Sequence, residues 1–209
     1  MYDTPLKHLL ISAANNSEES WPFNPSEEDG KLTMRRMQSM EFEREPHQVG
    51  DRAPYTLFRD QQLLNTLETE INAGSVEWKS LALKSFKFNK NLSAPSEGAL
   101  RANGLFAALA NPNTPAGLTA VSFAGSTFDR NSSALLAELS SNPKLTELSL
   151  AMTQGIHAQD ALALLRKGTI RKLDLTGTDL LVPPRFGKES HAEIELRREL
   201  QAEVDRLNQ

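Results

Sequence analysis

Cysteine is absent from this chain of 209 residues. Without a sulfur ligand or nucleophile, disulfides, Cys-ligated zinc, cysteine-protease chemistry and thioester ubiquitin-ligase chemistry are all excluded. Long apolar runs are also missing, since no stretch approaches the roughly 20 residues that span a bilayer. The start, MYDTPLKHLLISAANN, contains only a short apolar stretch. The sequence therefore predicts no membrane span and no signal peptide.

An excess of basic charge is lacking as well, because Lys and Arg number 23 against 27 for Asp and Glu, a net charge of -4. A protein that neutralises many phosphates normally carries the opposite balance, so we expect no nucleic-acid partner. Hydrophobic residues make up 39% of the chain, which suffices for the core of one globular domain with tails.

No catalytic constellation is recognisable. The four histidines are far apart, without a His partner at metal-ligand spacing: His8, His47, His157 and His191. Gly125-Ser126 lacks the flanking glycines of a nucleophile elbow, and Gly187-Lys188 lacks the remaining residues of a phosphate-binding loop. We therefore predict no catalytic residue, metal or cofactor, and expect that the chain is not an enzyme.

The first fifty residues are polar and interrupted by Pro22 and Pro25. Such a composition buries little apolar surface, so residues 1–54 are predicted to form a largely irregular, flexible arm. Within it, the spacing of Met34, Met37 and Met40 predicts a short helix with all three on one face. Two interpretations stay open: these methionines bind a partner, or they cover the edge of the domain.

A repeated pattern follows a helix predicted over Arg59 to Ala73, which would cap the N-terminal end of the repeats. Four units carry apolar residues at positions one, four and six and a small polar residue at position nine, where a side chain can bond the turn that leaves a strand. The units begin at Leu83, Leu118, Leu145 and Ile170, and their ninth residues are Asn91, Ser126, Thr153 and Thr178. In the first unit, Trp78-x-x-Leu81-x-Leu83 competes with Leu83-x-x-Phe86-x-Phe88 as the register.

Helical segments lie between these units, and each ends at a helix breaker. The segments are Gly98 to Ala110, Asn131 to Ser141 and His157 to Lys167, and the breakers are Asn111-Pro112, Asn142-Pro143 and Gly168. Alternation of short strands with helices predicts an α/β fold with a parallel sheet.

The stretch LTELSLAMTQGIHAQDALALLRKGTIRKLDL resembles the leucine-rich repeat family, most closely its ribonuclease-inhibitor-like subtype. Residues Asp160 to Ala163 are similar to the GALA variant known from bacterial effector proteins. The resemblance covers Leu83 to Leu180, about half of the chain. It implies a short solenoid over residues 55–182, with a parallel sheet on the concave side and helices on the convex side.

The remaining residues, 183–209, begin with Pro183-Pro184. From Lys188 to Gln209 the pattern predicts a charged helix with an apolar stripe formed by Leu196, Leu200, Val204 and Leu207. This helix either caps the repeats of its own chain or packs on another chain. The sequence leaves that choice, and the oligomeric state, open.

The strand residues that alternate with the apolar ones would point to the concave side and form a mild, small-residue surface. This surface is either an ordinary solvated sheet or a binding face. If it binds a partner protein, the predicted contact residues are Ser85, Lys87, Ser122, Glu147, Ser149, Lys172, Asp174 and Thr176, together with the methionines of the arm.

The expected function is that of a non-enzymatic protein-interaction module, an adaptor or assembly subunit in the cytoplasm. The GALA resemblance and the arm suggest an alternative, a bacterial effector that binds a protein inside a host cell. A regulator of an enzyme is a further alternative.

Overall fold

A computed structural model of the chain describes residues 8–13, 37–44, 54–89, 99–113, 117–129, 132–181 and 190–207. These residues form an α/β structure with two parallel sheets. None of the described helices combines the length and the apolar character needed to cross a membrane.

Nine strands occur in the described ranges. In chain order they are β1 (His8–Ala13), β2 (Ser39–Arg44), β3 (Ser80–Lys84), β4 (Lys87–Asn89), β5 (Leu100–Arg101), β6 (Ala120–Ser122), β7 (Thr127–Phe128), β8 (Glu147–Ser149) and β9 (Lys172–Asp174). The larger sheet has the order β1-β2-β3-β6-β8-β9, so its strands follow the chain order and every pair is parallel. The smaller sheet has the order β5-β4-β7.

The five helices of the described residues are α1 (Pro54–Ala73), α2 (Asn103–Ala110), α3 (Ala134–Leu139), α4 (Ala158–Arg166) and α5 (His191–Leu207). Each helix packs on the next one along the chain. Four of the five lie within the segments that the sequence predicts, whereas α1 begins at Pro54, five residues before the predicted start at Arg59. Asn142, the breaker that follows α3, also caps the preceding helix, because its buried side-chain amide donates a 2.8 Å hydrogen bond to the carbonyl oxygen of Leu109 in the last turn of α2.

The hydrophobic core lies between the larger sheet and the helices. Every second residue of a strand points into this core, as Leu81 and Leu83 do in β3. Helix leucines such as Leu105 and Leu136 are buried there as well. Phe88 of the smaller sheet joins the same core. The sheet thus has one face packed on the helices and an opposite face free of them.

The first repeat adopts the alternative register, Trp78-x-x-Leu81-x-Leu83. Ser80–Lys84 is the strand of the larger sheet, with Leu81 opposite Val121 of β6. The pattern beginning at Leu83 is therefore wrong as a strand of this sheet, and Lys87–Asn89 belongs to the smaller sheet. Trp78 is the first residue of the pattern in this register, and it is fully buried. Burial of so large an apolar side chain favours this register over the one that begins at Leu83.

The prediction of an irregular arm is wrong for residues 8–13 and 39–44, which form β1 and β2; β2 pairs with β1 on one side and with β3 on the other. The prediction of a helix over Thr33 to Glu43 is wrong there as well. Met40 and Phe42 alternate with more exposed neighbours, and both are buried in the hydrophobic core. The segment forms a strand, with every second side chain buried, and not the helix that the three-residue spacing of the methionines predicts. The reason is that β3 would otherwise have an unpaired edge and the core an uncovered side.

The C-terminal helix packs on its own chain, since α5 lies against α4 and its Leu200 is fully buried. The repeated pattern predicts that its apolar strand residues are buried, yet Leu173 and Leu175 are only partly buried. The physical reason is that β9 is the last strand of the sheet and has a neighbouring strand, β8, on one side alone within the described residues.

Candidate interaction surface

The face of the larger sheet opposite the helices is called the outward face here. Strand pairing places its side chains in rows that cross five strands. The first row is Ser39, Ser80, Ala120, Glu147 and Lys172, and the second is Glu41, Ala82, Ser122, Ser149 and Asp174.

A groove of about 390 Å³ runs along these rows and is lined by strand residues alone. Its middle consists of small side chains, including Ala82, Ala120 and Ser122. Small residues at the centre of a surface let the backbone of another chain approach closely. The groove is therefore suited to an extended or helical segment rather than to a bulky small molecule.

Charged side chains stand at both ends of the groove. Glu41 on β2 forms an ion pair with Lys84 on β3. At the other end, Lys172 Nζ on β9 lies 3.0 Å from a carboxylate oxygen of Glu147 on β8. Each pair joins neighbouring strands of the sheet, so these charges largely compensate one another while they frame the neutral centre.

Asp174 is a carboxylate of the same face, and it is held by hydrogen-bond donors. The backbone N–H of Thr176 donates to its Oδ1 at 3.0 Å, and the Ser149 hydroxyl donates to its Oδ2 at 3.1 Å. The bonds from the backbone and the hydroxyl of Thr176, with a smaller contribution from Ser149, lower the pKa of Asp174, and partial burial opposes them. Asp174 is therefore ionised near neutral pH.

The turns after β3, β6, β8 and β9 share one backbone conformation. Seven residues after the start of each unit, φ is positive, with values of 62° at Ser85, 67° at Gly125, 56° at Met152 and 72° at Gly177. Glycine adopts this left-handed conformation without strain, whereas an L side chain does so at a cost. Met152 stands out because it is also 63% exposed.

The residue after this turn position confirms the predicted role of the small polar side chains. The Ser126 hydroxyl donates to the Leu83 carbonyl at 3.0 Å and accepts from the Phe86 N–H at 3.1 Å. Thr153 likewise donates to the Phe123 carbonyl at 3.0 Å. These buried bonds join successive units. In the first unit the corrected register places Phe86, not a small polar residue, at this position, and the predicted Asn91 lies outside the described residues.

The structure brings together most of the residues predicted as contacts. Ser122, Glu147, Ser149, Lys172 and Asp174 line the groove, and Thr176 lies beside it through its bond to Asp174. The others do not belong to the face. Ser85 lies in the turn after β3, Lys87 is in the smaller sheet, and Met37 and Met40 are buried in the core. Met34 lies outside the described residues.

Five further groove residues were missed by sequence reasoning: Ser39, Glu41, Ser80, Ala82 and Lys84. A signal for them was present. Met37-x-x-Met40-x-Phe42 matches the repeat template, and so does Leu6-x-x-Leu9-x-Ile11, whose Leu9 pairs with Met40 in the register of β1. Because these units precede the recognised repeats at longer intervals, the template alone finds them only when the array is extended towards the N-terminus.

A second cavity, of about 350 Å³, lies between the start of α4 and the helix α5, with His157, Asp179 and Arg197 in its lining. His157 precedes α4 and is exposed, and its side chain makes no capping hydrogen bond. Among the residues that the structure describes, no group of three or more His, Asp or Glu side chains could hold a metal ion. Comparison of the chain with protein-family models, with curated proteins and with solved structures found no match.

Proposed function

We propose that this chain is a short solenoid of the leucine-rich repeat type that binds a partner protein in the groove of its outward face, as an adaptor or assembly subunit does. The observation that carries the proposal is the groove itself, which crosses five parallel strands and contains no helix residue. The same face would serve an adaptor in the cytoplasm and an effector inside a host cell.

Three features support the solenoid. The strands of the larger sheet follow the chain order, the helices pack on one another in the same order, and the left-handed turn position recurs in four successive units. In stacked repeats each unit contacts mainly its neighbours and extends one continuous core. The buried bonds of Ser126 and Thr153 tie each unit to the one before it.

Rigidity supports the binding role. Side chains of the groove stand on paired strands, and those at its ends are held by cross-strand ion pairs. A surface that is ordered before binding loses less conformational entropy when a partner arrives. A neutral centre with charged margins is also the usual arrangement of a protein interface.

The test compares two arginine substitutions. Ser149→Arg places a long cation in the middle of the groove, whereas Gln159→Arg places the same side chain on the exposed surface of α4. Both tagged variants and the wild type are used to capture proteins from native lysate, and the affinity of the recovered partner is then measured for all three. Unfolding midpoints are recorded to show that both variants fold.

We expect Ser149→Arg to lose the partner and Gln159→Arg to keep it. A partner that binds both folded variants with wild-type affinity would show that the outward face is idle, and would contradict the proposal.

A further inference from the structure

We propose that the β9 end of the groove binds an arginine or lysine side chain of the partner segment, between the carboxylate of Asp174 and the exposed thioether of Met152. This inference rests on the proposed function, because it names the chemistry of the segment that the groove takes.

Charge is the first argument. Among the charged residues that line the groove, Glu41 and Glu147 are each paired with a lysine. Asp174 accepts hydrogen bonds from Ser149 and Thr176, but no described cation lies within ion-pair distance of it. One negative charge is therefore left over at this end of the groove, and it favours a cationic partner over an anionic one.

Met152 is the second, independent argument. Apart from Phe58, it is the large hydrophobic side chain that is exposed among the described residues. It also occupies the left-handed position at which the next repeat has Gly177. An exposed apolar side chain in a strained conformation is an arrangement that clusters at binding sites.

The two residues are linked through the backbone of the neighbouring strand. Met152 lies beside the groove rather than in its lining, and its thioether packs over Gly177, three residues after Asp174. The backbone N–H of Met152 donates to the Thr176 carbonyl at 2.7 Å, and the N–H of Thr176 in turn donates to Asp174. The soft thioether packs on the aliphatic stem of an arginine or lysine, and the carboxylate pairs with its cationic head.

The probe is a synthetic hexapeptide of alanine and serine with one central arginine, and its twin carries neutral citrulline at that position. Each is titrated into isotope-labelled full-length protein and followed by NMR. We expect the arginine peptide to shift the amide signals of Ser149 and Thr176 and the methyl signal of Met152. The affinity of the citrulline twin should be at least about threefold lower, as expected for loss of a partly exposed ion pair.

Two variants sharpen the test. Asp174→Asn should bind both peptides with the lower affinity, whereas Asp179→Asn, an exposed carboxyl in the following turn, should behave as wild type. Met152→Gly removes the thioether at a position where glycine is unstrained, so it should fold and bind the arginine peptide more weakly.

Equal affinity of the wild type for both peptides, or signal changes confined to other regions, would overturn the inference. If Ser149→Arg still loses its captured partner in that case, the groove binds without a basic anchor and the proposed function stands. If Ser149→Arg keeps the partner as well, both proposals fail.

Discussion

The third and fourth repeats carry the same leucine pair, yet the two pairs are buried to different degrees. Leu148 and Leu150 are 2% and 0% exposed, whereas Leu173 and Leu175 are only partly buried. Strand β8 lies between β6 and β9, while β9 is the last strand of its sheet. The burial of these leucines is thus completed by a second neighbouring strand, not by their own sequence pattern.

The middle of the molecule and its C-terminal end also differ in the side chains that form the core. The middle of the molecule holds five buried phenylalanines: Phe86, Phe88, Phe106, Phe123 and Phe128. The centroids of their contacting rings are 4.9 to 6.1 Å apart. The end is closed by α5, which contributes a narrow apolar stripe around Leu200 and an exposed ion pair with α4. Stability should therefore be concentrated in the middle.

The largest effect is expected at the centre of the aromatic cluster. Phe88 contacts the rings of Phe106, Phe123 and Phe128 at centroid distances of 5.8, 5.6 and 5.3 Å. Phe88→Ala should lower the free energy of unfolding by about 3 to 5 kcal/mol, because it empties a large buried site. Urea denaturation measures this. The control, Phe58→Ala, removes an exposed ring and should change stability by no more than about 0.5 kcal/mol. Similar losses in both variants would contradict the comparison.

Substitution of one leucine from each pair tests the difference in burial between the third and fourth repeats directly. Leu148→Ala should cost about 3 kcal/mol, whereas Leu173→Ala should cost about 1 kcal/mol, because a partly exposed side chain loses less apolar contact and leaves no closed cavity. Both values come from the same denaturation experiment. Equal costs would mean that α5 closes the end of the core as completely as a further repeat would.

The start of α5 provides a smaller effect. Ser190 and Glu193 form a capping box, in which the Ser190 N–H donates to Glu193 at 2.7 Å and the Glu193 N–H donates to the Ser190 hydroxyl at 3.2 Å. Ser190→Ala should destabilise the protein by about 1 kcal/mol near neutral pH, measured by thermal or urea unfolding. A variant as stable as the wild type would show that α5 is held by packing alone.

The cap also predicts a pH dependence. The backbone N–H and the hydroxyl of Ser190 hold the pKa of Glu193 below its ordinary value of 4.5, and Arg197 contributes in the same direction. Its contribution to stability is therefore present above that ordinary value and is lost as the pH falls through the lower, folded pKa. The difference between the wild type and Ser190→Ala should shrink in this acidic range. A constant difference down to the lowest pH would contradict the assignment.

The smallest effect is expected for the ion pair that joins α4 to α5. Arg166 lies 2.6 Å from Glu199, and both side chains are more than half exposed. A double-mutant cycle with alanine should give a coupling of no more than about 0.5 kcal/mol, which decreases further in high salt. A larger, salt-resistant coupling would indicate that charge, rather than the stripe around Leu200, holds the helix.

Local sequence patterns predicted many of the strands and helices and part of the outward face. The apolar template located β6, β8 and β9, and helical spacing located all five described helices. From these strands followed five of the groove residues, among them Ser149 and Asp174. Such features depend on which residues alternate along one strand or recur along one helix, and that information lies within a few neighbouring positions.

Tertiary structure decided the rest. Two registers were available to the first repeat, and only the pairing of Leu81 with Val121 and the burial of Trp78 select between them. Residues 39–44 became a strand because the edge of β3 and the core beneath it accept Met40 and Phe42, a contact between segments far apart in the chain. Pairing and burial are set by the partner that a segment meets, so the sequence pattern determines individual strands and helices, while the packing of these elements determines which register a strand takes and which side chains it exposes.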